Sequence, residues 1–151
     1  MAQKSPRIAV RGIIIRDGRM LLVNAWPGGR SPLLCAPGGG VEPGSSLPDN
    51  LAREIYEETG LRVRVDAPCM VNEFHDPKSG FHQVEVFFRC ALDGSGNIDP
   101  SWQDPERIVS THVWADEADM ARLMVKPDSL ARVAFDDAGT ATYDPLEPVV
   151  M

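Results

Sequence analysis

The first third of the chain alternates between apolar runs and turn residues, and this pattern predicts strands. Residues 7–16 (RIAVRGIIIR) and 19–26 (RMLLVNAW) are rich in aliphatic side chains and are separated by Asp17 and Gly18. An Asp-Gly pair supplies the positive φ angles that a tight hairpin turn needs. We therefore expect a β-hairpin here, followed by a short strand at 33–37 (LLCAP) that leads into a glycine-rich loop.

Between residues 47 and 59 the apolar pattern changes to the period of a helix. Leu51, Ile55 and Thr59 recur at four-residue spacing and would share one face. Gly60 follows, and glycine readily takes the left-handed conformation that ends many helices. At the other end, Ser45 or Ser46 can accept a backbone N–H and cap the first turn.

The remainder of the chain interleaves strands and helices, without internal repeats or a linker. We expect strands at 61–67, 81–92 and 107–114, a turn at 75–80, a polar loop at 93–106, and helices at 116–124 and 127–137. The tail from residue 139 has no clear pattern. This order favours an α/β fold with a mixed β-sheet and helices on its faces, in a single domain over residues 1–151.

Composition and charge restrict the class of partner. Hydrophobic residues make up 43% of the 151 positions and charged residues 25%, which is ordinary for a globular domain. The formal net charge is −7 and no basic run is present, so an extended nucleic acid would meet a repulsive mean field. Small anionic substrates stay compatible with this charge, because a bound metal ion can reverse the local potential.

The cysteines and the N-terminal segment indicate the compartment. Cys35, Cys69 and Cys90 are widely spaced and contain no CxxC pair, which is typical of reduced core thiols. Arg7 and Arg11 interrupt the first apolar stretch, which therefore resembles neither a signal peptide nor a membrane anchor. We expect a cytoplasmic protein without a membrane partner, and a homodimer stays open as its assembly.

Three glutamates crowd one face of the predicted helix. At about 100° per residue, Glu54, Glu57 and Glu58 fall within roughly 100° of one another, away from the apolar face. Like charges at this spacing, near a helix C-terminus, destabilise the helix by a few tenths of a kcal/mol each. Arg53 lies four residues before Glu57 and can pair with it. The alternative to a functional face is an ordinary solvated surface.

The glycine loop that precedes this helix favours the functional interpretation. Residues 38–40 are all glycine, so the backbone can approach a ligand without side chains in the way. Mg²⁺ prefers oxygen ligands and is commonly held by carboxylates together with substrate phosphates. Such an ion can neutralise a diphosphate and activate water. The two features together predict a site for Mg²⁺ and phosphate.

Residues 39–61 resemble the Nudix box, a motif of glycines and glutamates at fixed spacing. Eight of its nine specified positions agree with this chain, namely Gly39, Arg53, Glu54, Ile55, Glu57, Glu58, Gly60 and Leu61. Ser45 stands where the box has its first glutamate. The resemblance implies a single Nudix hydrolase domain with the fold of an α/β/α sandwich around a mixed β-sheet.

The resemblance also implies an activity and a set of site residues. The expected reaction is hydrolysis of a pyrophosphate bond in a nucleoside diphosphate linked to another moiety, with Mg²⁺ or Mn²⁺ as cofactor. The metal ligands would be Glu54, Glu57, Glu58 and the carbonyl of Gly38. Glu54 would be the general base, and Arg53 would orient Glu57. The substrate would contact Gly39, Gly40 and Trp26, whose ring can stack on a base.

Two further expectations concern a distant acid and the substrate. Family members often recruit another acid from a distant loop, and we rank Glu106 first among four candidates, the others being Glu85, Asp104 and Glu117. Pro77 follows Leu61 by 16 residues, about where the ADP-ribose-cleaving subgroup has a proline. This slightly favours ADP-ribose-like compounds over nucleoside triphosphates.

Ser45 leaves a second function open. A serine hydroxyl is at best a weak metal ligand, so a charge that the box usually supplies near the metal or its arginine is missing. The alternative to a hydrolase is therefore a Nudix-like nucleotide-binding module with little or no turnover.

Overall fold

The structure is a computed structural model that describes residues 4–136 and 139–151. Within these residues nine strands and three helices follow one another along the chain. The strands are β1 (Arg7–Arg16), β2 (Arg19–Asn24), β3 (Leu34–Cys35), β4 (Gly38–Gly40), β5 (Val63–Asp76), β6 (Phe81–Leu92), β7 (His112–Ala115), β8 (Thr142–Tyr143) and β9 (Glu147–Pro148). The helices are α1 (Leu47–Thr59), α2 (Glu117–Arg122) and α3 (Leu130–Phe135).

The strands form one mixed sheet, as the sequence predicted. Its main order is β3-β2-β1-β6-β5-β8, with β4 also paired to β1, β7 to β2, and β9 to β5. Strand β1 is parallel to β6 and antiparallel to β2 and β4. The first half of β1 pairs with β4 and its end pairs with β2. The prediction of a loop at the three glycines is therefore wrong, because pairing with β1 holds Gly38–Gly40 as a strand.

Alternation along the central strands divides the core between two faces. Val10 and Ile14 of β1 pack toward α1, whereas Ile13 packs toward α2 and α3. Successive strand residues point to opposite sides, so one strand contributes to both layers. This arrangement confirms the α/β/α sandwich, in which α1 packs on one face of the sheet and α2 and α3 pack on the other.

Two local predictions are confirmed in detail. Asp17 and Gly18 have φ angles of 51° and 74°, which form the expected hairpin turn between β1 and β2. Helix α1 ends at Gly60, whose φ is 76° and whose N–H bonds the carbonyl of Tyr56 at 2.8 Å. The N-cap is Ser46, whose hydroxyl accepts the N–H of Asp49 at 3.1 Å.

The strand that we predicted at 61–67 is longer than expected. Strand β5 runs from Val63 to Asp76 and crosses an irregularity in its register around Pro68. Proline lacks a backbone N–H and therefore interrupts the ladder, but the strand resumes beyond it. The turn that we predicted at 75–80 is shorter, because His75 and Asp76 belong to β5 and only residues 77–80 form the turn. Strand β6 follows, and its bounds match the prediction of 81–92.

The prediction of a strand over 107–114 is wrong for its first half, since β7 contains only His112–Ala115. Side chains satisfy the preceding backbone in place of a strand partner. The Asp104 carboxylate accepts the N–H groups of Ile108 and Val109, at 3.2 and 2.9 Å. Oδ1 of Asn24 accepts those of the next two residues, at 2.9 and 3.0 Å. These side chains hold the segment as a loop.

The last two helices are shorter than predicted. The segment 116–124 contains a helix only over Glu117–Arg122, and the segment 127–137 only over Leu130–Phe135. The end of the second prediction, Asp137, lies outside the described residues. The tail forms β8 and β9, which pair with β5 in parallel.

In the part of the chain that the structure describes, no helix is long and apolar enough to cross a membrane. Cys35, Cys69 and Cys90 are all free thiols, and the last two are buried.

The close packing of β4 on β1 yields the first testable prediction. Gly38 has a φ of 152°, and a Cβ there would overlap the carbonyl oxygen of Val10. Gly38→Ala should lower the free energy of unfolding by about 1–2 kcal/mol for the backbone conformation and by about 1–3 kcal/mol more for the overlap. Gly44→Ala is the matched control, because its φ is 85° but its surroundings are open. Urea denaturation of both variants measures the difference, and equal losses would contradict the packing described.

Candidate functional site

Helix α1 faces the glycine strand β4 with three side chains at four-residue spacing, Asn50, Glu54 and Glu58. All three are buried. Oε2 of Glu58 accepts the N–H of Gly38 at 3.0 Å, and Nδ2 of Asn50 donates to the carbonyl of Gly40 at 3.0 Å. Each end of the glycine strand is therefore tied to the helix.

Glu54 lies between these two contacts, against the middle glycine. A Cβ on Gly39 would lie 2.7 Å from Oε2 of Glu54. This distance is too short for any side chain larger than hydrogen without a shift of the carboxyl group. The glycine at this position therefore allows the Glu54 carboxylate to lie directly on the backbone.

Carboxylate oxygens from Glu54, Glu57 and Glu106 converge beside the glycine strand. One oxygen from each lies within 4.8 Å of the others. Glu54 is buried, Glu57 is half-buried and Glu106 is exposed, so the group opens toward solvent. Three hard oxygen donors at this separation fit a divalent cation such as Mg²⁺ or Mn²⁺. Glu58, the fourth acid of this region, instead directs Oε2 to the Gly38 amide.

Arg53 offsets part of the negative charge of this group. Its guanidinium contacts Glu57 at 3.0 Å, Glu54 at 3.4 Å and Glu42 at 3.5 Å. The contact with Glu57 is the i,i+4 pair that the sequence suggested. The Glu42 side chain is 69% exposed, so solvent screens that contact and it contributes little.

The other candidate acids lie in different environments. Asp104 is buried, and its carboxylate accepts the N–H of Glu106 at 3.0 Å in addition to the two backbone groups named above. It therefore orders the loop that presents Glu106. Glu85 is also buried and pairs with Arg11 at 2.8 Å. Glu117 is exposed in the first turn of α2.

Burial changes the proton affinity of two of the helix glutamates. Desolvation raises the pKa of Glu58 to about 8, against the opposing effects of Arg11 and of the Gly38 N–H. Desolvation also raises the pKa of Glu54, and the neighbouring Arg53 opposes this rise. Each carboxylate is therefore a stronger base than an exposed one.

A cavity of about 520 Å³ lies next to this site. Its walls include four aromatic side chains, Trp26, Phe74, Phe81 and Phe87, and four cationic ones, Lys4, Arg7, Arg11 and Lys126. Two acids, Asp76 and Glu85, also line it, and Glu85 pairs with Arg11. The Trp26 indole N–H donates to the carbonyl of Val150 at 3.2 Å, which fixes the ring in the wall. A cavity of this size and lining suits a small molecule that has both a flat apolar part and an anionic part.

The glycine strand connects the cavity with the carboxylates. Nη1 of Arg11, in the cavity wall, lies 3.4 Å from the carbonyl of Gly38. A Cβ on Gly40 would collide with the guanidinium of Arg7, whereas one on Gly39 would meet Glu54. Strand β4 therefore has cationic groups on one side and the carboxylate group on the other.

Two residues that the sequence did not assign to the site hold the end of α1. Trp102 donates its indole N–H to the carbonyl of Glu57 at 2.8 Å, and a ring nitrogen of His112 lies 2.9 Å from the carbonyl of Glu58. The last carbonyls of a helix have no partner within the helix, and α1 has no basic residue in its last turn. The Trp102 ring also packs on Gly60, so this tryptophan belongs to the end of the helix.

Ser45 is half-buried at the start of α1. Its hydroxyl lies 3.4 Å from the carbonyl of Ser46, and its N–H bonds the carbonyl of Glu42 at 3.3 Å. Both partners are its neighbours in sequence. Asn50 instead offers an oxygen to Arg53, at 3.3 Å from Nη2.

Comparison with known proteins finds a match to the NUDIX domain family over residues 5–134. A "MutT-like protein" of Streptomyces ambofaciens is 32% identical over 108 residues, which cover 67% of this chain and 66% of that protein. An "ADP-ribose pyrophosphatase" of Methanocaldococcus jannaschii is 34% identical over 83 residues, which cover 55% of this chain and 49% of that protein. The matched segments thus span about half to two thirds of the length of these relatives.

The solved structure of a NUDIX hydrolase from Nitrosomonas europaea superposes with a TM-score of 0.73 at 23% identity. The superposition covers 91% of this chain and 93% of that one. At this level of identity the similarity establishes the fold.

The raised pKa of Glu58 predicts a pH dependence of stability in metal-free protein. The folded-state pKa of about 8 exceeds the ordinary value of 4.5, so folding favours the protonated form. The contribution of this group is complete below about pH 4.5 and is lost as the pH rises to about 8, by at most about 1.4 kcal/mol per pH unit. Glu58→Gln keeps an acceptor for Gly38 and removes the titration.

Urea unfolding of both proteins in a metal chelator, at half-unit steps from pH 5 to 9, measures this effect. The wild-type free energy of unfolding should fall relative to that of Glu58→Gln over this range. Parallel curves would show that Glu58 does not titrate as its burial requires.

Proposed function

The chain belongs to the NUDIX family, and we propose that it is a Mg²⁺- or Mn²⁺-dependent hydrolase of a nucleoside diphosphate linked to another moiety. The observation that carries this proposal is the convergence of oxygens from Glu54, Glu57 and Glu106 within 4.8 Å. This group adjoins a glycine strand that also borders the wall of the cavity that contains Arg7 and Arg11. A diphosphate that spans the glycine strand would meet both.

Glu54, Glu57 and Glu106 would hold the ion. The second oxygen of Glu58 would be a further donor, and so would the carbonyl of Gly38, which also accepts from Nη1 of Arg11 at 3.4 Å. A bound divalent ion supplies charge neutralisation of the diphosphate and a lower pKa for a bound water. Carboxylates and a backbone carbonyl are the hard donors that Mg²⁺ and Mn²⁺ accept.

The chain's own residues would position the reactants and move the proton. In hydrolysis the oxygen of water forms a bond to phosphorus, and the bond from phosphorus to the bridging oxygen breaks. Glu54 is our candidate for the group that takes the proton from the water, because its carboxylate is buried against Gly39 among the converging oxygens. Arg53 holds the Glu57 carboxylate at 3.0 Å, which limits its rotation toward solvent.

We propose that the cavity takes the nucleoside and the rest of the substrate. Trp26, Phe74 and Phe81 offer flat apolar surface for a base or a sugar. Asp76, the last residue of β5, and Ser79, in the turn that follows it, lie on either side of Pro77 and also line the cavity. This position of the turn, together with the similarity to an "ADP-ribose pyrophosphatase", favours ADP-ribose-like compounds over nucleoside triphosphates. We place this activity in the cytoplasm, in keeping with the three free thiols.

Substitution of the metal-binding face tests the proposal. Glu57→Gln removes a charged ligand and the partner of Arg53, so the Mg²⁺-dependent kcat/KM should fall by about 10–100-fold. Glu117→Gln removes an exposed acid on α2 and should retain wild-type turnover. The release of phosphate-containing products from ADP-ribose at several Mg²⁺ concentrations measures both variants. Wild-type activity in Glu57→Gln would remove the helix face from the mechanism.

A substrate panel distinguishes the hydrolase from the binding module that Ser45 suggests. ADP-ribose, other nucleoside diphosphate derivatives and nucleoside triphosphates are each incubated with Mg²⁺ or Mn²⁺, and binding is measured by calorimetry alongside turnover. We expect the highest kcat/KM for ADP-ribose-like compounds. Tight binding without turnover across the panel would replace the hydrolase with the nucleotide-binding module.

A further inference from the structure

Asn50 is a fully buried amide whose contacts join three parts of the site. Its exposed fraction is 0%. Nδ2 donates to the carbonyl of Gly40 at 3.0 Å, and Oδ1 accepts the backbone N–H of Glu42 at 3.0 Å. Oδ1 also accepts from Nη2 of Arg53 at 3.3 Å. One side chain thus contacts the glycine strand, the loop that follows it and the cation of the carboxylate group.

An amide is the side chain that this position requires. Gly40 offers an acceptor and Glu42 offers a donor, so the residue between them must both donate and accept. A carboxylate could accept from the Glu42 N–H but could not donate to the Gly40 carbonyl. An alkyl group would leave both backbone groups without this partner, and a buried unpaired polar group is costly.

The contact of Asn50 complements that of Glu58 at the other end of β4. Asn50 ties Gly40 to α1 and Glu58 ties Gly38 to α1, while Glu54 lies between them against Gly39. These two ties fix the separation of helix and strand. That separation determines where the Glu54 oxygens lie relative to the backbone.

Arg53 depends on Asn50 in a second way. The Ser45 hydroxyl contacts the neighbouring Ser46 carbonyl, whereas Oδ1 of Asn50 lies 3.3 Å from the Arg53 guanidinium. The same Arg53 nitrogen, Nη2, lies 3.4 Å from Oε1 of Glu54. Asn50 therefore limits where this nitrogen can move, and the nitrogen stays within reach of the Glu54 carboxylate.

We propose that Asn50 is a positioning residue for the metal site. Asn50 holds the glycine strand and Arg53 in place so that Glu54 and Glu57 can bind the same ion. In this chain Asn50 supplies an oxygen that accepts from Arg53, whereas the Ser45 hydroxyl contacts the Ser46 carbonyl. This inference rests on the proposed function, because it concerns the same carboxylate group.

The test compares Asn50→Ala with Asn50→Asp and with the control Ile55→Val. Asn50→Asp keeps an acceptor for Glu42 and Arg53. Ile55→Val removes one buried methyl group from the apolar core face of the same helix and leaves the contacts of Asn50 in place. Mn²⁺ binding is measured by electron paramagnetic resonance, and exchange of the Glu42 amide proton is measured by NMR in metal-free protein.

Asn50→Ala should weaken Mn²⁺ binding by about tenfold or more and should speed exchange of the Glu42 amide. Asn50→Asp should restore the slow exchange of that amide and part of the Mn²⁺ affinity. Ile55→Val should lose stability without a change in either quantity. In steady-state assays the metal half-saturation concentration should rise in Asn50→Ala, whereas kcat at saturating metal should change less.

Unchanged Mn²⁺ affinity in a folded Asn50→Ala protein would overturn the proposal and leave Asn50 with a structural role only. Unchanged exchange of the Glu42 amide would show that Asn50 does not hold the loop after the glycine strand, and it would overturn the proposal whatever the Mn²⁺ affinity is. Failure of the proposed function is a separate observation, in which wild-type protein neither binds Mn²⁺ nor hydrolyses any compound in the panel.

Discussion

The mutual repulsion of carboxylates around one short glycine strand is the constraint on which the site depends. Glu54 and Glu58 are buried within one turn of each other, and Glu57 adjoins them. Desolvation and like charges both raise the free energy of this arrangement. Arg53 and the Gly38 amide offset part of that energy, and a divalent ion would offset more. The carboxylates therefore stay close together only because Arg53 and the backbone of β4 hold them in place.

Glycine at three successive positions of β4 allows this arrangement. The strand must pair with β1 while Glu54 lies on one side of it and Arg7 on the other, and a side chain at Gly39 or Gly40 would collide with one of them. The mixed sheet supplies the rigid support, because β1 contributes residues to both core layers. The two core layers on β1 therefore fix the position of the face of α1 that contains the glutamates.

The sequence could not rank the acids outside the helix by their environment. Glu85 and Asp104 are buried, but one pairs with Arg11 and the other accepts three backbone N–H groups, whereas Glu106 reaches the helix glutamates. All four candidate acids have the same chemistry in the sequence. The loop before β7 places Glu106 near the helix, and contacts with Asn24 and Asp104 fold this loop. Asn24 is distant in sequence, and Asp104 belongs to no repeating pattern, so neither contact could be predicted.

The sequence by itself determined the elements whose signal is local. These elements are the Asp17-Gly18 turn, the helix capped by Gly60 and the spacing of Arg53, Glu54 and Glu57. Each depends on residues that are neighbours in sequence, within about two helical turns. The tertiary structure alone decided that Asn50 contacts Gly40, that Trp102 and His112 hold the end of α1, and that Arg11 reaches Gly38. These contacts join residues 10 to 54 positions apart, and periodicity along the chain contains no information about such pairs.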